Sequence, residues 1–418
     1  MRKDQSLVAR LAAGAGTALL AAGLIADAAI ATEPDMSKEA RIAEKMNALG
    51  GKTLGELTGK RNDATVILSP YGLGSALHLL MLGAYAGSDA EKSLMKSLVP
   101  EGIESLDEAR EDLQAANRKI LGANTSDKVT LKSVSAVYVP KGAKVSGNFG
   151  TKAPGVLKAQ VGVLDFKSPK GLETINTWVK KETNGEIPSI LQKLEPDARF
   201  VVLNAVYFKG AWELAFDPAR TAKAPFTRVD GSKREDVPMM SATFPVRLAE
   251  LGKLHAVWLP YAGKDIAMVV IAPRADGAPT LVADTLKSTS IDKLIAAASK
   301  ESQERPVHVR LPRFRAESYL DITDALGTQI GPALRADSDY SPINAGKGGP
   351  LQVVHRVVVD VSEAGTVAAA ATAVTSDRSL AVTPVLAADR PFAFAIVHRP
   401  TQAVLFAGYI ADPGEAGR

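Results

Sequence analysis

The sequence predicts an α+β fold built as one large domain. The 418-residue chain contains apolar runs, rich in β-branched and aromatic side chains, that are typical of buried strands. Helical segments alternate irregularly with these runs, and neither an internal repeat nor a linker divides the chain. A hydrophobic content of 46% is ample for a large core and excludes a disordered or fibrous protein. The clearest predicted strands are Phe200–Phe208, Ala267–Ile271, Val353–Val361 and Phe392–Val397.

The first 31 residues predict a secretory signal peptide. Basic residues precede an uncharged stretch from Leu11 to Ile25, and the small residues before position 32 fit the A-x-A cleavage pattern. This stretch is short and weakly apolar for a membrane span. We therefore expect removal of residues 1–31, secretion or export to the periplasm, and a mature domain of residues 32–418.

Composition excludes several classes of function. Cysteine is absent, which rules out disulfides, zinc–thiolate sites, iron–sulfur clusters and a cysteine nucleophile. Fifty basic residues against 46 acidic ones are spread along the chain and leave a net charge of +4. This balance argues against a nucleic-acid-binding or membrane-surface protein. No later segment is apolar for long enough to cross a bilayer, so no membrane partner is expected.

The start of the mature chain predicts a helix, a strand and a second helix. Ser37–Leu49 carries apolar residues at helical intervals among charged ones. Thr65–Leu68 is a short β-branched run that ends at Ser69 and Pro70. Leu73–Tyr85 is apolar along one side, as expected for a helix packed against a core.

Catalytic and metal-binding motifs are missing or weak. The chain has neither a G-x-S-x-G elbow nor an H-E-x-x-H pair. Ser93 and Lys96 fit S-x-x-K, but so short a pattern occurs by chance, and its partner motifs S-D-N and K-T-G are absent. We expect neither an enzyme nor a metal or cofactor site. The histidines lack ligand spacing and are expected to be hydrogen-bonded structural residues: His78, His255, His308, His355 and His398.

The connection between the strand ending at Val361 and the strand beginning near Phe392 indicates a functional segment. Such a long connection inside one domain is usually functional or disordered. From Thr366 to Ser376, both alternating sets of side chains are small or hydroxylic, so the segment could enter a sheet without burying a charge. Gly365 provides a permissive backbone position at its base. On composition alone, an alanine-rich helix or a flexible linker fits equally well.

The motifs along the chain resemble those of the serpin family. Glu363-Ala364-Gly365-Thr366, followed by small residues, is similar to the hinge of an inhibitory serpin. The matches occur in family order and cover nearly the whole mature chain, so the sequence is identified as a member of this family. The other matching motifs are Leu68-Ser69-Pro70, Ile175–Val179, Thr183–Ile187, Leu203–Trp212, Phe216–Pro218, Val237–Met240, Leu259–Tyr261, Leu311–Phe314, Asp389–Phe392 and Leu405–Gly408.

The resemblance implies both a fold and a mechanism. The fold would be a single large α+β domain with a central mixed β-sheet, further sheets, surrounding helices and an exposed reactive-centre loop at about residues 363–390. The mechanism would be that of a suicide substrate: a serine protease acylates the loop, which inserts into the main sheet and traps the enzyme covalently. The resemblance therefore implies a monomeric inhibitor whose partner is a serine protease and which uses no cofactor.

The resemblance also assigns the hinge of the loop. A bulky or charged residue at Thr366 or in the alanine run would slow insertion and turn an inhibitor into a substrate. Val367 departs from the family, which mostly carries glutamate there, but an uncharged residue should tolerate insertion. The hinge residues are Glu363, Gly365, Thr366, Ala368, Ala369, Ala370 and Ala371.

Four further residues are assigned to the opening of the sheet. Ser69, Asn204 and His355 match a buried polar cluster beneath the main sheet, where the strands part for insertion. Trp212 matches an aromatic residue at the top of the sheet, where the loop first enters. Gly72 stands where the family usually has a second serine, so we expect the cluster to contain one hydroxyl fewer here.

The scissile bond stays open among three positions. The usual spacing from Glu363 indicates Ser379, whereas counting back from Pro391 indicates Leu380. Arg378 lies one residue earlier, and its guanidinium would suit the carboxylate in a trypsin-like pocket. We favour the Arg378–Ser379 bond; cleavage after Ser379 or Leu380 would indicate elastase-, subtilisin- or chymotrypsin-like targets.

A non-inhibitory serpin that acts as a binding or carrier protein is the alternative function. Such members typically carry bulky, charged or proline residues in the hinge, and this hinge has none. The chain contains no run of basic residues, so the sequence gives no indication that a polyanion activates the protein.

Overall fold

A computed structural model describes residues 36–103, 105–122, 128–344, 349–365 and 383–414. From Ser37 onward these residues belong to one unit. Across them the chain forms nine α-helices, a 3₁₀ turn at Pro218–Arg220 and fourteen strands. The helices are α1 (Lys38–Lys60), α2 (Pro70–Gly83), α3 (Asp89–Leu98), α4 (Leu106–Gly122), α5 (Gly147–Leu157), α6 (Pro169–Glu182), α7 (Leu281–Ser288), α8 (Ile291–Ala298) and α9 (Ile322–Leu334). The strands are β1 (Val66–Leu68), β2 (Val129–Pro140), β3 (Gln160–Leu164), β4 (Phe200–Gly210), β5 (Ala222–Thr227), β6 (Lys233–Leu251), β7 (Leu254–Pro260), β8 (Ile266–Pro273), β9 (Glu304–Pro312), β10 (Phe314–Asp321), β11 (Leu351–Val361), β12 (Val385–Ala387), β13 (Phe392–His398) and β14 (Ala403–Ile410).

Helix α1 is longer than the sequence indicated. The predicted end at Leu49 was wrong, because the helix continues through a pair of glycines to Lys60. A Cβ on Gly50 would lie 2.5 Å from the Cβ of Pro70, so α1 approaches α2 more closely than any other residue permits. Close packing between helices therefore outweighs the low helix propensity of glycine at this point.

Helix α2 begins three residues before its predicted start. Ser69 caps it, since the Ser69 hydroxyl accepts the N–H of Gly72 at 2.8 Å, and Pro70 at the first helical position has no N–H to satisfy. Every residue of α2 except Leu82 is buried. The helix consequently lies between packed layers of the core, and its first turn is fixed by the side-chain cap of Ser69.

The five-stranded sheet contains the segments predicted at Phe200–Phe208 and Val353–Val361. Its order is β10-β11-β4-β2-β3. Strands β10 and β2 run antiparallel to their neighbours β11 and β4, whereas β11 and β4 are parallel to each other. Their pairing extends from Leu351 opposite Phe200 to Val359 opposite Phe208. We call this contact between β4 and β11 the seam.

Both faces of the seam are buried. On the inner face, Val202 and Val353 pack in the core that also contains α2. On the outer face, Leu203 and Val354 pack beneath α6 and the segment that follows it. Burial on both sides explains why these strands are almost continuously apolar in sequence.

The nine-stranded sheet contains the predicted strands Ala267–Ile271 and Phe392–Val397 as parts of β8 and β13, which pair antiparallel. Strand β12 pairs with β9 at its edge, with Val385 opposite His308. Within the described ranges, no helix is long and apolar enough to cross a membrane.

Candidate functional site

The residues that follow β11 form a tight turn over the end of β4. The N–H of Gly365 donates to the carbonyl oxygen of Ser362 at 3.0 Å, and Gly365 has a φ of +75°. A Cβ on Gly365 would lie 2.1 Å from the carbonyl oxygen of Gly210 and 2.5 Å from the backbone nitrogen of Trp212. Both the left-handed conformation and the close approach therefore require glycine.

Trp212 supports this turn from the side. Its indole N–H donates to the carbonyl oxygen of Ser362 at 2.8 Å, and the backbone N–H of Phe216 donates to the carbonyl oxygen of Glu363 at 2.9 Å. The Trp212 side chain is almost fully buried and stacks on Tyr261 with ring centroids 4.4 Å apart. The base of the predicted loop is thus hydrogen-bonded to Trp212 and to the backbone of Phe216, and stacking on Tyr261 holds the Trp212 ring in place.

The carboxylate of Glu363 is buried, with only 5% of the residue exposed. Two nitrogens of Arg313 donate to it, Nε at 3.1 Å and Nη2 to the other oxygen, and the hydroxyl of Thr221 donates at 2.6 Å. Burial acts to raise the pKa of Glu363, but the hydrogen bonds from Arg313 and Thr221 outweigh it and hold the pKa below its ordinary value. Glu363 is therefore charged at neutral pH. We call Glu363, Arg313 and Thr221 the hinge clamp.

A chain of hydrogen bonds crosses the seam on its inner face. The backbone N–H of Ser69 donates to Nε2 of His355 at 3.0 Å, Nδ1 of His355 bonds to Oδ1 of Asn204 at 2.9 Å, and Nδ2 of Asn204 donates to Oγ of Ser135 at 3.1 Å. Because a backbone N–H can only donate, Nε2 of His355 must accept, and Nδ1 carries the proton. Burial lowers the pKa of His355 to about 3, so the ring is neutral at pH 7. We call these four residues the seam cluster.

His355 and Asn204 are direct register partners on β11 and β4. Their bond therefore links side chains across the seam at the same level as the backbone ladder. Any movement that separates the two strands at this level must break it.

The comparison with family models agrees with this geometry. The model described as Serpin (serine protease inhibitor) matches residues 44–413. The chain belongs to the serpin family. The predicted fold, a single α+β serpin domain with a mixed central sheet, is confirmed.

Curated relatives cover most of this serpin. The leukocyte elastase inhibitor of Bos taurus is 31% identical over 368 residues, which span 85% of this chain and 95% of that protein. The glia-derived nexin of Homo sapiens is 30% identical over 401 residues, with 89% and 96% covered. A relative named as an elastase inhibitor thus aligns over most of the domain, which supports protease inhibition as the general activity.

Solved structures agree on the fold. Native protease nexin-1 with heparin superimposes with a TM-score of 0.78 at 26% identity and covers 90% of this chain and 99% of that one. Human thyroxine-binding globulin superimposes with a TM-score of 0.77 at 21% identity, covering 91% and 100%. The second likeness shows the fold alone.

All six of the predicted site residues that lie in the described ranges fall into two groups. Ser69, Asn204 and His355 lie together in the seam cluster. Trp212, predicted at the top of the sheet where the loop first enters, lies beyond the end of β4, with Glu363 and Gly365 at the hinge. Their roles in sheet opening stay predictions.

Three residues of these groups were not singled out from the sequence. Arg313 lies within the quoted motif Leu311–Phe314 and had no role assigned. Ser135 interrupts the apolar alternation of β2 and could have been noticed as a polar residue facing a core. Thr221 had no signal, because its contact with Glu363 depends on how distant segments fold together.

Several predicted residues lie outside the described ranges. The loop side of the hinge and the scissile bond fall within residues 366–382, and the predicted signal peptide falls within residues 1–35. Their assignments stay predictions. They are Thr366, Ala368, Ala369, Ala370, Ala371, Arg378, Ser379 and Leu380.

Three of the other four histidines, His78, His308 and His398, are hydrogen-bonded as predicted. Nδ1 of His78 bonds to the carbonyl oxygen of Gly74 at 2.7 Å, and Nδ1 of His398 bonds to the hydroxyl of Thr401 at 2.8 Å. His308 lies 3.2 Å from the hydroxyl of Ser241. Among the described residues, no group of three or more side chains could hold a metal ion.

Proposed function

We propose that this serpin is an exported suicide inhibitor of trypsin-like serine proteases. Its reactive loop would extend over about residues 363–390, with the Arg378–Ser379 bond as the bond that the protease attacks. After acylation the cleaved loop would enter the seam and trap the protease as a covalent complex. The observation that carries this proposal is the position of the turn at Ser362–Gly365. It follows β11 directly, lies over the end of β4 and is held by the hinge clamp through Glu363.

Strand geometry supports insertion at the seam. The turn at Ser362–Gly365 reverses the chain after β11, so a strand that continues from it would run antiparallel to β11 and also to β4. One parallel contact would be replaced by two antiparallel contacts, which are slightly more stable per residue. The intact fold can therefore release free energy when the loop inserts.

The composition of the loop matches this destination. Since both faces of the seam are buried, an entering strand must be small and uncharged on both sides. The sequence from Thr366 to Ser376 satisfies this condition. A linker exposed to solvent would be under no such restriction.

The test is to mix the mature protein, residues 32–418, with trypsin and to separate the products on a denaturing gel. We expect a denaturant-resistant adduct and a released C-terminal peptide that begins at Ser379. The Arg378→Gln variant should lose the adduct with trypsin, whereas Arg335→Gln, at an exposed site elsewhere, should keep it. Cleavage without any adduct would exclude inhibition of trypsin. An adduct that survives in Arg378→Gln would move the scissile bond but leave the inhibitory function standing.

Export has its own test. The full chain is expressed in a bacterial host, and the N-terminus of the protein from the periplasm and the medium is sequenced. We expect a mature protein that begins near Thr32. Full-length protein confined to the cytoplasm would contradict export.

A further inference from the structure

A cleft of about 400 Å³ lies between the second half of α4 and the end of α5. A hydrogen bond ties its two walls together, since Nε2 of Gln114 donates to the carbonyl oxygen of Gly155 at 3.1 Å. The volume is within the range of clefts that hold small organic molecules. We call this feature the α4–α5 cleft.

Apolar side chains from both helices line the α4–α5 cleft: Leu121 on α4, and Val156 and Leu157 on α5. Val156 is buried, whereas Leu121 and Leu157 are half-buried. All three pack against the same part of the hydrophobic core. The cleft therefore offers an apolar wall that is continuous with the core, and an alkyl chain placed against it would be removed from water.

Two cations also line the cleft, Arg118 on α4 and Lys158 at the end of α5. Both are exposed, and neither forms an ion pair with the residues that the structure describes. Lys119, the next residue on α4, differs in this respect, because it pairs with Glu39 at 2.9 Å. None of the described residues that line the cleft is acidic. The described part of the chain thus leaves two positive charges in the cleft without a counterion.

The ends of the two helices oppose this positive charge only in part. Lys158 is the C-cap of α5, and Arg118 lies about one turn before the last residue of α4. A helix C-terminus carries about half a negative charge, so the two ends together offset about one of the two cations. The cleft stays positive and favours an anion over a neutral or cationic ligand.

The side-chain amide of Asn117 adds a hydrogen-bond donor to the cleft. Asn117 lines the cleft and is only 6% exposed. Its Oδ1 accepts the hydroxyl of Tyr71 at 2.8 Å, whereas its Nδ2 donates to none of the residues that the structure describes. A buried donor without an acceptor is rare, because it gives up its hydrogen bonds to water without replacing them. An oxygen atom of a ligand would supply the acceptor.

We propose that the α4–α5 cleft binds a small amphiphile with one carboxylate head group and an alkyl chain of medium length. The carboxylate would lie between Arg118 and Lys158 and accept a hydrogen bond from Nδ2 of Asn117. The alkyl chain would lie along the apolar wall. A polyanion that binds over the surface of the protein would gain little from a buried amide and an apolar wall, so these features indicate a small ligand.

The first experiment is isothermal titration calorimetry of the mature protein, residues 32–418, with sodium decanoate. We expect decanoate to bind at a single site. Hexanoate, which is four methylenes shorter, should bind at least about tenfold more weakly, because each fully buried methylene strengthens binding about fourfold. Decylammonium, which carries the same alkyl chain on a cation, should also bind at least about tenfold more weakly. The absence of decanoate binding, or equal binding of decanoate and decylammonium, would overturn the proposal.

The second experiment locates the head group. Arg118→Gln and Lys158→Gln should each weaken decanoate binding about tenfold, because each removes a charged partner of the carboxylate. Lys119→Gln is the matched control, since it removes the same charge from the next residue of α4 but Lys119 does not line the cleft. It should change the affinity by less than about twofold. All three side chains are exposed, so the variants should fold. Equal effects of Arg118→Gln and Lys119→Gln would overturn the proposal, because they would show that decanoate responds to net charge and not to the cleft.

The third experiment locates the alkyl chain. Leu121→Glu adds a carboxylate to the apolar wall at a half-buried position, where a charged side chain can still reach water. We expect it to weaken decanoate binding at least about tenfold, through repulsion of the head group and loss of apolar contact. Native affinity in Leu121→Glu would place decanoate outside the α4–α5 cleft and overturn the proposal.

Discussion

Arg313 holds the carboxylate of Glu363 through two of its guanidinium nitrogens, and this ion pair fixes the chain at the point where β11 ends. The two partners are unequally exposed: the Glu363 side chain is 7% exposed and the Arg313 side chain 38%. The carboxylate of the pair is therefore shielded from water, whereas the guanidinium is partly hydrated. Removal of the arginine would leave a buried charge with Thr221 as its remaining side-chain donor.

Arg313→Gln should lower the free energy of unfolding by about 1–2 kcal/mol. Loss of one partner of a fully buried pair costs about 3–5 kcal/mol, and the partial exposure of Arg313 reduces this through solvent screening. The measurement is urea unfolding followed by tryptophan fluorescence. Arg274→Gln is the control, since Arg274 pairs with Glu250 at the surface, where the two side chains are 46% and 58% exposed, and should contribute less than about 1 kcal/mol. Equal losses in both variants would show that the hinge clamp is no stronger than a surface ion pair.

Acidification should destabilise the protein below about pH 6.5 through its buried histidines. The pKa of His355 is lowered to about 3 by burial, whereas that of an unfolded histidine is about 6.5. Between these values the unfolded chain binds the proton and the folded protein does not. Stability is therefore fully present above pH 6.5 and falls as the pH drops, by up to about 1.4 kcal/mol per pH unit for one such group.

The check is the pH dependence of urea unfolding in His355→Gln. This variant should be less stable than the native protein at pH 7, because the seam cluster is disturbed, but its stability should fall less steeply between pH 6 and about pH 4. His308→Gln, on the half-exposed His308, should keep more of the native slope. An unchanged slope in His355→Gln would mean that His355 does not stay neutral in the folded protein.

Much of the fold could be predicted because buried strands and capped helices leave local signals. The apolar runs of β4 and β11 are visible in the sequence, and so is a helix at α2, although its predicted start at Leu73 was three residues too late. The continuation of α1 through Gly50 was not, because it depends on how closely Pro70 approaches from another segment. Local helix propensity cannot indicate a contact between two different helices.

The candidate site shows the same division. Order and spacing of motifs located Glu363, His355 and Asn204, but not the side chains that complete their hydrogen bonds. Thr221 and Ser135 are ordinary residues in sequence and become part of a site only through strand pairing and loop packing. The tight packing around Gly72 likewise could not be predicted from the sequence, because it depends on the positions of side chains on β4 and β11.

Gly365→Ala should be more disruptive than an equivalent substitution elsewhere. A left-handed conformation costs a non-glycine residue about 1–2 kcal/mol, and at Gly365 an added Cβ would also lie 2.1 Å from the carbonyl oxygen of Gly210. Gly263→Ala is the matched control, because Gly263 has a φ of +87° and nothing within 4 Å of its missing Cβ. We expect about 1 kcal/mol of destabilisation at Gly263 and at least twice that at Gly365.

The readout for the hinge is tryptophan fluorescence in a Trp178→Phe/Trp258→Phe background, in which Trp212 is the remaining tryptophan. Gly365→Ala should shift the emission of Trp212, because the displaced turn would no longer accept its indole N–H. Gly263→Ala should leave the emission unchanged. Native emission and native stability in Gly365→Ala would contradict this prediction, because they would show that the turn can accommodate a side chain beside Gly210.

Under the proposed mechanism, a charged residue in the segment Thr366–Ser376 should convert the inhibitor into a substrate. Thr366→Arg would place a guanidinium in the seam, where both faces are buried, and an unpaired buried charge costs several kcal/mol. Each 1.36 kcal/mol slows insertion about tenfold, so hydrolysis of the acyl-enzyme would win the competition. Ala381→Arg is the control: it adds the same charge on the far side of the proposed scissile bond, in a part of the loop that the mechanism would leave outside the sheet. Titration of trypsin should require many more molecules of Thr366→Arg per trapped protease than of Ala381→Arg or the native protein. Native stoichiometry in Thr366→Arg would mean that trapping does not require the loop to enter the seam.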